Sequence, residues 1–315
     1  MAARNCDTLT TMTPGPTRPA GPRVPCIIVH GGAGADPGEG REELRDGIRA
    51  AVVAGFAVLE RGGRSLEAVE QAVRVLEDHP RFNAGRGSVL TEAGTIEMDA
   101  SIMEGDRLDC GAVAAVADVA NPITLARGVL ESRRHVLLVG DGASAFARRL
   151  GMPACAPEQL ITDRRRAQHA EWMRKQAVPA GGGTVGAVAL DRHGTIAAAT
   201  STGGMVGKLP GRVGDAAVIG AGTYADSTIG GVSCTGDGEA TIRVVLARRA
   251  LEYLKEADDP HYAAHVAIDL LVDEGRGSGG LILLDWRGRL GYAQSTPLMP
   301  VGWMTPARGG PEVPF

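Results

Sequence analysis

Residues 181–204 read GGGTVGAVALDRHGTIAAATSTGG, a glycine run followed by two apolar stretches that flank a polar turn. Val185–Leu190 has the composition of a buried strand, residues 191–194 that of a turn, and residues 195–200 that of a returning strand. The pattern predicts an antiparallel hairpin. Its first residue, Thr184, follows a flexible segment directly, and the Thr200-Ser201-Thr202 stretch can place a second hydroxyl beside the first.

Strands and amphipathic helices alternate in mixed blocks elsewhere in the chain. A strand is expected at 26–29, and apolar residues at helical spacing predict two helices after it, the second with Ser65 as its N-cap. Further strands are expected at 95–102, 112–119, 136–139, 280–284 and 289–294, and further helices at 239–256 and 262–274. The order is not a regular strand–helix alternation, so it favours a layered α+β sandwich over a doubly wound sheet.

The ends and the middle of the chain differ in composition from these blocks. Residues 1–25 are rich in Pro, Thr and Arg and are predicted to form a disordered tail before a single domain at 26–315. Residues 151–183 contain Arg164-Arg165-Arg166 and end in three glycines without a clear apolar period. This segment is predicted to be a mobile linker.

Bulk properties exclude several classes of protein. The net charge of −4 does not favour binding to nucleic acid or to an anionic membrane. The five cysteines show no CxxC spacing, which argues against a disulfide framework or a zinc–thiolate site and favours a cytoplasmic location. No apolar run approaches the roughly 18 residues that a membrane span needs.

Thr184 has the features of a self-generated nucleophile. Glycines permit strained backbone before it, and a strained peptide bond beside a hydroxyl can undergo an N-to-O acyl shift. Hydrolysis of the resulting ester would free an α-amine with a pKa of roughly 8 on the residue that carries the hydroxyl. One residue could then supply both base and nucleophile. The alternative is an ordinary strand start after a glycine linker.

Two later segments could bind a substrate. Arg212 and Asp215 lie three residues apart in a glycine-rich loop, a pairing that suits the carboxylate and ammonium of a zwitterion. Thr235 and Gly236 precede a predicted helix, where a hydroxyl and a backbone N–H could hold an oxyanion. A solvent-exposed ion pair and a simple N-cap turn are the respective alternatives.

A nucleotide site is the remaining alternative. Gly220-Ala221-Gly222 follows an apolar run and matches part of a dinucleotide-binding fingerprint. That fingerprint also needs a helix to open there, and residues 226–231 are poor helix formers. The match is weak for this reason.

Five long, collinear segments together resemble the plant-type asparaginases, or isoaspartyl peptidases, of the N-terminal-nucleophile (Ntn) hydrolases. They are IIVHGGAGA (27–35), LEDHPRFNAGRGSVLTEAGTIEMDASIMEG (76–105), GTVGAVALDRHGTIAAATSTGGMVGKLPGRVGD (183–215), GAGTYAD (220–226) and SCTGDGEATIR (233–243). The resemblance spans about residues 26–294. Glycosylasparaginases share the threonine and the GRVGD stretch but differ around them, and they are kept as the alternative within the superfamily.

The resemblance implies a four-layer αββα sandwich with two stacked, mainly antiparallel sheets. It implies cleavage between Gly183 and Thr184 into an α fragment (1–183) and a β fragment (184–315), assembled as (αβ)2. The site residues that it implies are Thr184 as nucleophile, Thr202 as its hydrogen-bonding assistant, Arg212 and Asp215 as ligands of the substrate α-carboxylate and α-amine, Thr235 and Gly236 as the oxyanion hole, with Gly236 also contacting substrate, and Asn83 and Gly183 in support.

The implied substrates are asparagine and β-aspartyl dipeptides, with no cofactor for catalysis. The family also implies a structural sodium ion bound by backbone carbonyls, here those of Leu76, Glu77, His79, Phe82, Ala84 and Arg86. Residues 294–300 and Asp237, which replaces a frequent histidine, depart from the family pattern. The first departure leaves the preference for the leaving group open.

Overall fold

The structure is a computed structural model that describes residues 23–36, 38–175 and 183–315. Most of the predicted N-terminal tail and the end of the predicted linker lie outside these residues. The described strands are β1 (Cys26–His30), β2 (Met98–Glu104), β3 (Asp109–Val116), β4 (Leu137–Val139), β5 (Val185–Leu190), β6 (Ile196–Thr202), β7 (Thr223–Asp226), β8 (Gly230–Gly236), β9 (Gly279–Asp285), β10 (Leu290–Gln294) and β11 (Val301–Met304).

The described α-helices differ in length from four to twenty residues. They are α1 (Arg41–Glu60), α2 (Ser65–Asp78), α3 (Pro122–Ser132), α4 (Gly140–Arg149), α5 (Pro157–Leu160), α6 (Asp163–Lys175), α7 (Gly238–Val244), α8 (Leu246–Ala257) and α9 (Pro260–Asp273). Short 3₁₀ turns occupy Asp215–Ala217 and Pro306–Arg308. None of the helices in the described ranges is long and apolar enough to cross a membrane.

Two sheets stack face to face. The larger has seven strands in the order β11-β1-β5-β6-β2-β3-β4, and the smaller has four in the order β10-β9-β8-β7. Every neighbouring pair is antiparallel except β3 and β4. The predicted hairpin is β5–β6, in which Val185 pairs with Ser201 and Leu190 with Ile196.

Alternation of side chains along the strands builds three apolar layers. On β5, Val185 and Ala187 pack under the helices α1–α3, whereas Val188 and Leu190 face the second sheet. Helices α8 and α9 cover the outer face of the smaller sheet, in a separate cluster that contains Val232. Successive strand residues point to opposite faces, so both sheets are buried on both sides. The order is helix, sheet, sheet, helix, which confirms the predicted αββα class.

Two local predictions at helix ends are wrong. Ser65 is the first residue of α2 rather than its N-cap, and its N–H donates to the Asp191 carboxylate at 3.1 Å. A side chain from the β5–β6 turn therefore caps this helix in place of a local one. The predicted helix at 239–256 is broken at Val245, whose φ of 53° is left-handed, a conformation that apolar periodicity does not report.

The predicted mobile linker contains regular structure between residues 157 and 175, where α5 and α6 form. The buried residue of α6 is Arg165, which is 5 % exposed and donates from Nε to the Gly87 carbonyl. Trp172 packs over Gly207, where an added Cβ would come within 2.1 Å of the indole. The helix is held by an arginine and one aromatic ring instead of an apolar stripe. Helix α6 therefore forms although its sequence has no apolar residues at a spacing of 3.6.

Candidate active site

Thr184 lies at the entry of β5, between the two sheets. It is 5 % exposed and points to the same face as Val188 and Leu190, because these residues share its parity along the strand. Continuing the β5–β6 register places Thr202 opposite Thr184. The Thr184 hydroxyl donates to Thr202 Oγ1 at 3.2 Å. Strand pairing thus brings the two hydroxyls together.

The peptide bond before Thr184 is held tightly against the first glycine loop. Gly183 has a left-handed φ of 65°. A Cβ added to Gly32 would lie 2.7 Å from the Gly183 Cα, closer than real Cβ atoms approach, and 3.0 Å from the Thr184 nitrogen. A residue without a side chain is therefore required at position 32, and the HGGAGA segment forms one wall around the Gly183–Thr184 bond.

Asn83 fixes the carbonyl of that bond. Its side-chain amide donates to the Gly183 oxygen at 2.8 Å and to the Gly204 oxygen at 2.7 Å. Its own oxygen accepts from the Val89 N–H at 2.8 Å. Asn83 is 3 % exposed, so these three bonds form away from water and determine which end of the amide faces Gly183. The amide is placed to stabilise negative charge on that oxygen.

Thr235 lies behind Thr184, on β8. Its hydroxyl oxygen accepts from the backbone N–H of Thr184 at 3.0 Å and from that of Ala33 at 2.9 Å. Thr235 is fully buried. Because Thr235 Oγ1 accepts both of these bonds, its own hydroxyl proton remains available to donate to a further acceptor, such as an oxyanion.

Arg212 and Asp215 both line the cavity at Thr184, but they do not pair with each other through hydrogen bonds. The guanidinium donates from Nε and Nη2 to the two carboxylate oxygens of Glu239, at 2.8 and 2.7 Å. Asp215 is 3 % exposed, and its Oδ2 has no hydrogen-bond partner among the described residues. Burial raises the pKa of Asp215 to about 7, against the opposing effect of Arg212. An incoming ammonium would therefore find an unsatisfied buried carboxyl.

The cavity that these residues enclose is very small in the uncut chain. It is lined by Gly183, Thr184, Thr202, Gly204, Met205, Arg212, Asp215, Gly236 and Gly238. Its free volume of about 10 Å³ is room for roughly one water molecule. Gly183 is part of the lining, so an amino-acid substrate needs the segment before Thr184 to move away.

His30 completes the buried polar layer between the sheets. Its Nε2 is 2.8 Å from Ser233 Oγ, which is itself 2.7 Å from Thr200 Oγ1. Burial lowers the pKa of His30 to about 3, while the Thr184 backbone acts in the opposite direction. The imidazole is therefore neutral near pH 7 and serves as a hydrogen-bonding support beside β5.

The end of α2 and the loop after it contain the six backbone carbonyls that the resemblance predicts to bind sodium. The Arg86 N–H closes the loop by donating to the Glu77 carbonyl at 2.7 Å. The carbonyl oxygens of Pro80 and Phe82 lie 2.6 and 2.8 Å from the position that a Cβ on Gly87 would take. Phe82 is one of the six predicted ligands, and Pro80 is not. Inward backbone carbonyls are a donor set for a hard monovalent cation. Three of the six predicted carbonyls, those of Leu76, Glu77 and His79, already accept backbone N–H groups, and the sodium site stays a prediction.

The dinucleotide-binding alternative is wrong. Gly220-Ala221-Gly222 leads into strand β7, not into a helix. The first-turn N–H groups of α8, those of Ala247 and Arg248, already donate to the carbonyls of Ala221 and Gly220 at 2.9 Å, so they are not free for a phosphate. Asp237, which follows Thr235 and Gly236, is the N-cap of α7 and accepts from the Ala240 N–H at 3.2 Å.

Sequence reasoning missed the contacts of Glu239 and Gly32. Both lie inside segments that were singled out, SCTGDGEATIR and IIVHGGAGA, but nothing in their local sequence indicates which distant residue they meet. The acidic residue in the first turn of α7 was the available signal for a partner of Arg212.

Comparisons with known proteins place this chain among similar sequences. The profile of the family described as asparaginase matches residues 23–309. An isoaspartyl peptidase/L-asparaginase of Mus musculus is 48 % identical over 268 residues, covering 83 % of this chain and 82 % of the relative. That of Danio rerio is 44 % identical over 291 residues, covering 91 % and 93 %. A plant-type L-asparaginase of Pyrococcus abyssi is 44 % identical, covering 91 % and 98 %.

These matches span nearly all the described residues, and they confirm the resemblance drawn from the five motifs. Together with the αββα sandwich and the threonine pair between its sheets, they settle the family. The chain belongs to the asparaginase family.

Proposed function

We propose that this chain cleaves its own Gly183–Thr184 bond and then hydrolyses β-aspartyl amides, both L-asparagine and β-aspartyl dipeptides, with Thr184 as nucleophile. The observation that carries the proposal is the convergence of Thr184, Thr202, Arg212 and Asp215 on one cavity. Relatives named isoaspartyl peptidase/L-asparaginase support the same two substrate classes.

In the cleavage step, Thr184 Oγ1 attacks the Gly183 carbonyl carbon. The C–N bond breaks, a Gly183 ester forms on Oγ1, and the hydroxyl proton passes to the leaving nitrogen. Water then hydrolyses the ester, leaving a Gly183 carboxylate and a free Thr184 amine. Asn83 donates to the carbonyl oxygen on which charge develops, and Thr202 accepts the hydrogen bond of the attacking hydroxyl.

In the catalytic step, the freed amine of Thr184 serves as the base for its own hydroxyl. The hydroxyl attacks the β-carbonyl of the substrate, ammonia or an amino acid leaves, and water cleaves the β-aspartyl ester to release aspartate. Thr235 and the Gly236 N–H donate to the oxyanion. Removing one such donor costs about 3 kcal/mol of barrier.

Substrate selection rests on charge at one end of the cavity. Arg212 binds the free α-carboxylate and Asp215 binds the free α-ammonium, which replaces the hydrogen bond that Oδ2 lacks. A β-linked aspartyl group presents both charges, whereas an α-linked aspartyl residue inside a peptide does not. The leaving side is outside this clamp, so an amide or a peptide nitrogen is accepted there.

We further propose that the loop at 76–86 binds a structural sodium ion through the carbonyls of Leu76, Glu77, His79, Phe82, Ala84 and Arg86. The ion would brace the loop that carries Asn83. Assembly of the two fragments as (αβ)2 and a cytoplasmic location stay predictions from the sequence.

The test compares wild type, Thr184→Ala and Thr228→Ala after purification and incubation. Wild type and Thr228→Ala, whose threonine lies on a surface turn, should give two fragments and release ammonia from asparagine and free aspartate from a β-aspartyl dipeptide. Thr184→Ala should give one chain and neither product. Turnover by an uncut Thr184→Ala chain would place the nucleophile elsewhere.

A further inference from the structure

Glu239 makes the closest ionic contact in the active-site region. Its carboxylate receives both N–H groups on one side of the Arg212 guanidinium, at 2.8 and 2.7 Å. Arg212 is 16 % exposed at its side chain and Glu239 46 %. Across the described residues, no other carboxylate lies within 4.0 Å of the Arg212 nitrogens.

Glu239 contacts one edge of the Arg212 guanidinium, and the opposite edge remains free. Nε and Nη2 point to the carboxylate, so Nη1 and the second hydrogen of Nη2 remain. Nη1 lies toward the cavity: a Cβ on Gly204 would be 3.3 Å from it, and one on Gly214 2.8 Å. Gly204 lines the cavity together with Thr184. The free edge is the one that can meet a substrate carboxylate in a two-bond arrangement.

Arg212 needs such a partner because its own backbone is irregular. It is the last residue of a turn at 209–212, in which its N–H donates to the Leu209 carbonyl at 3.0 Å, and no helix or strand holds it. Glu239, in contrast, is in the first turn of α7, which is fixed by the Asp237 N-cap and joined to β8. The ion pair therefore ties a loop arginine to a rigid element, which reduces the number of side-chain conformations that binding must exclude.

We propose that Glu239 is a positioning residue that orients Arg212 for the α-carboxylate of the substrate and so sets the requirement for a free carboxylate. This inference rests on the proposed function. Glu239 itself touches neither the substrate nor the reacting atoms. Its loss should weaken binding of substrates that carry an α-carboxylate and should leave the chemical step alone.

The test uses Glu239→Gln, Glu239→Ala and a matched control, Glu252→Gln. Glu252 is also a glutamate that pairs with arginines, is exposed to the same 46 %, and lies on α8. Each purified, self-cleaved enzyme is assayed with asparagine and with asparagine α-amide, in which the carboxylate is replaced by a neutral amide. The readouts are KM and kcat for each substrate.

For asparagine, we expect Glu239→Gln to raise KM about tenfold and Glu239→Ala to raise it further, with kcat within about twofold of wild type. For the α-amide, kcat/KM of both variants should stay within about twofold of wild type, since that substrate gains nothing from an oriented Arg212. Glu252→Gln should match wild type on both substrates. Lysine cannot form two parallel hydrogen bonds to a carboxylate as arginine does. In an Arg212→Lys background, Glu239→Gln should therefore change KM for asparagine much less than it does in wild type.

Equal losses on the two substrates would overturn the inference, because they would show a general structural role. An unchanged KM for asparagine in Glu239→Ala would also overturn it, and so would failure of Glu239→Gln to fold or to cleave itself. These results differ from failure of the proposed function, in which wild type itself neither cuts before Thr184 nor releases ammonia.

Discussion

Replacing Asn83 with aspartate should leave the chain folded but slow its cleavage before Thr184. Aspartate keeps the oxygen that accepts from Val89 N–H and loses the N–H groups that donate to the oxygens of Gly183 and Gly204. As the acyl shift proceeds, charge develops on the Gly183 oxygen, and Asn83 is the donor that faces it. Loss of one oxyanion donor raises a barrier by about 2.7–4 kcal/mol, so cleavage should slow by about 100- to 1000-fold.

The assay is a time course of intact mass, starting from chains purified quickly and held at pH 8. Ser88→Ala is the matched control, because Ser88 is fully buried near Asn83 and its hydroxyl has no hydrogen-bond partner in the described part of the chain. It should cleave as fast as wild type. If Asn83→Asp also cleaved at the wild-type rate while its melting temperature was unchanged, Asn83 would have no part in stabilising the carbonyl.

Three other changes test neighbouring parts of the account. Gly32→Ala places a Cβ 2.7 Å from the Gly183 Cα at a φ of +108°, so cleavage should slow and thermal stability should fall; normal fragment yield on a denaturing gel would contradict the close approach. Asp215 has a pKa raised to about 7 by burial, so kcat/KM for asparagine should fall as pH drops through about 7, and a flat profile from pH 6 to 8 would refute its charged role. Burial raises the pKa of Glu77 from 4.5 to about 8. Between these two pH values the Glu77 carboxyl keeps its proton in the folded state and is ionised in the unfolded state. This group therefore lowers the free energy of unfolding as pH rises from about 4.5 to about 8. Glu77→Gln cannot ionise, and its melting temperature should gain on wild type from pH 5 to pH 8; the opposite trend would count against a protonated Glu77.

The parts of the site that lie within one hairpin were accessible from sequence. The turn at 191–194 sets the β5–β6 register, and that register alone brings Thr184 opposite Thr202. Alternation along the strand then places both hydroxyls between the sheets. The layered class followed from the mixed order of elements and from the family motifs.

Contacts between distant segments were not accessible in the same way. Gly32 meets Gly183 and Arg212 meets Glu239 only because separate elements pack together. Helix α6 was missed because it is anchored by Arg165 and Trp172, so its sequence carries no apolar period. The cap of α2 was misplaced because the capping carboxylate, that of Asp191, comes from a turn more than a hundred residues away.

The central claim is that Thr184 becomes a chain end and uses its own amine and hydroxyl together. N-terminal sequencing and intact mass of the active protein test it directly. The account predicts two fragments, residues 1–183 and 184–315, with a new sequence that begins Thr-Val-Gly-Ala, and ammonia release that rises in proportion to their yield. Full asparaginase activity from a chain that is still intact at Gly183–Thr184 would contradict it.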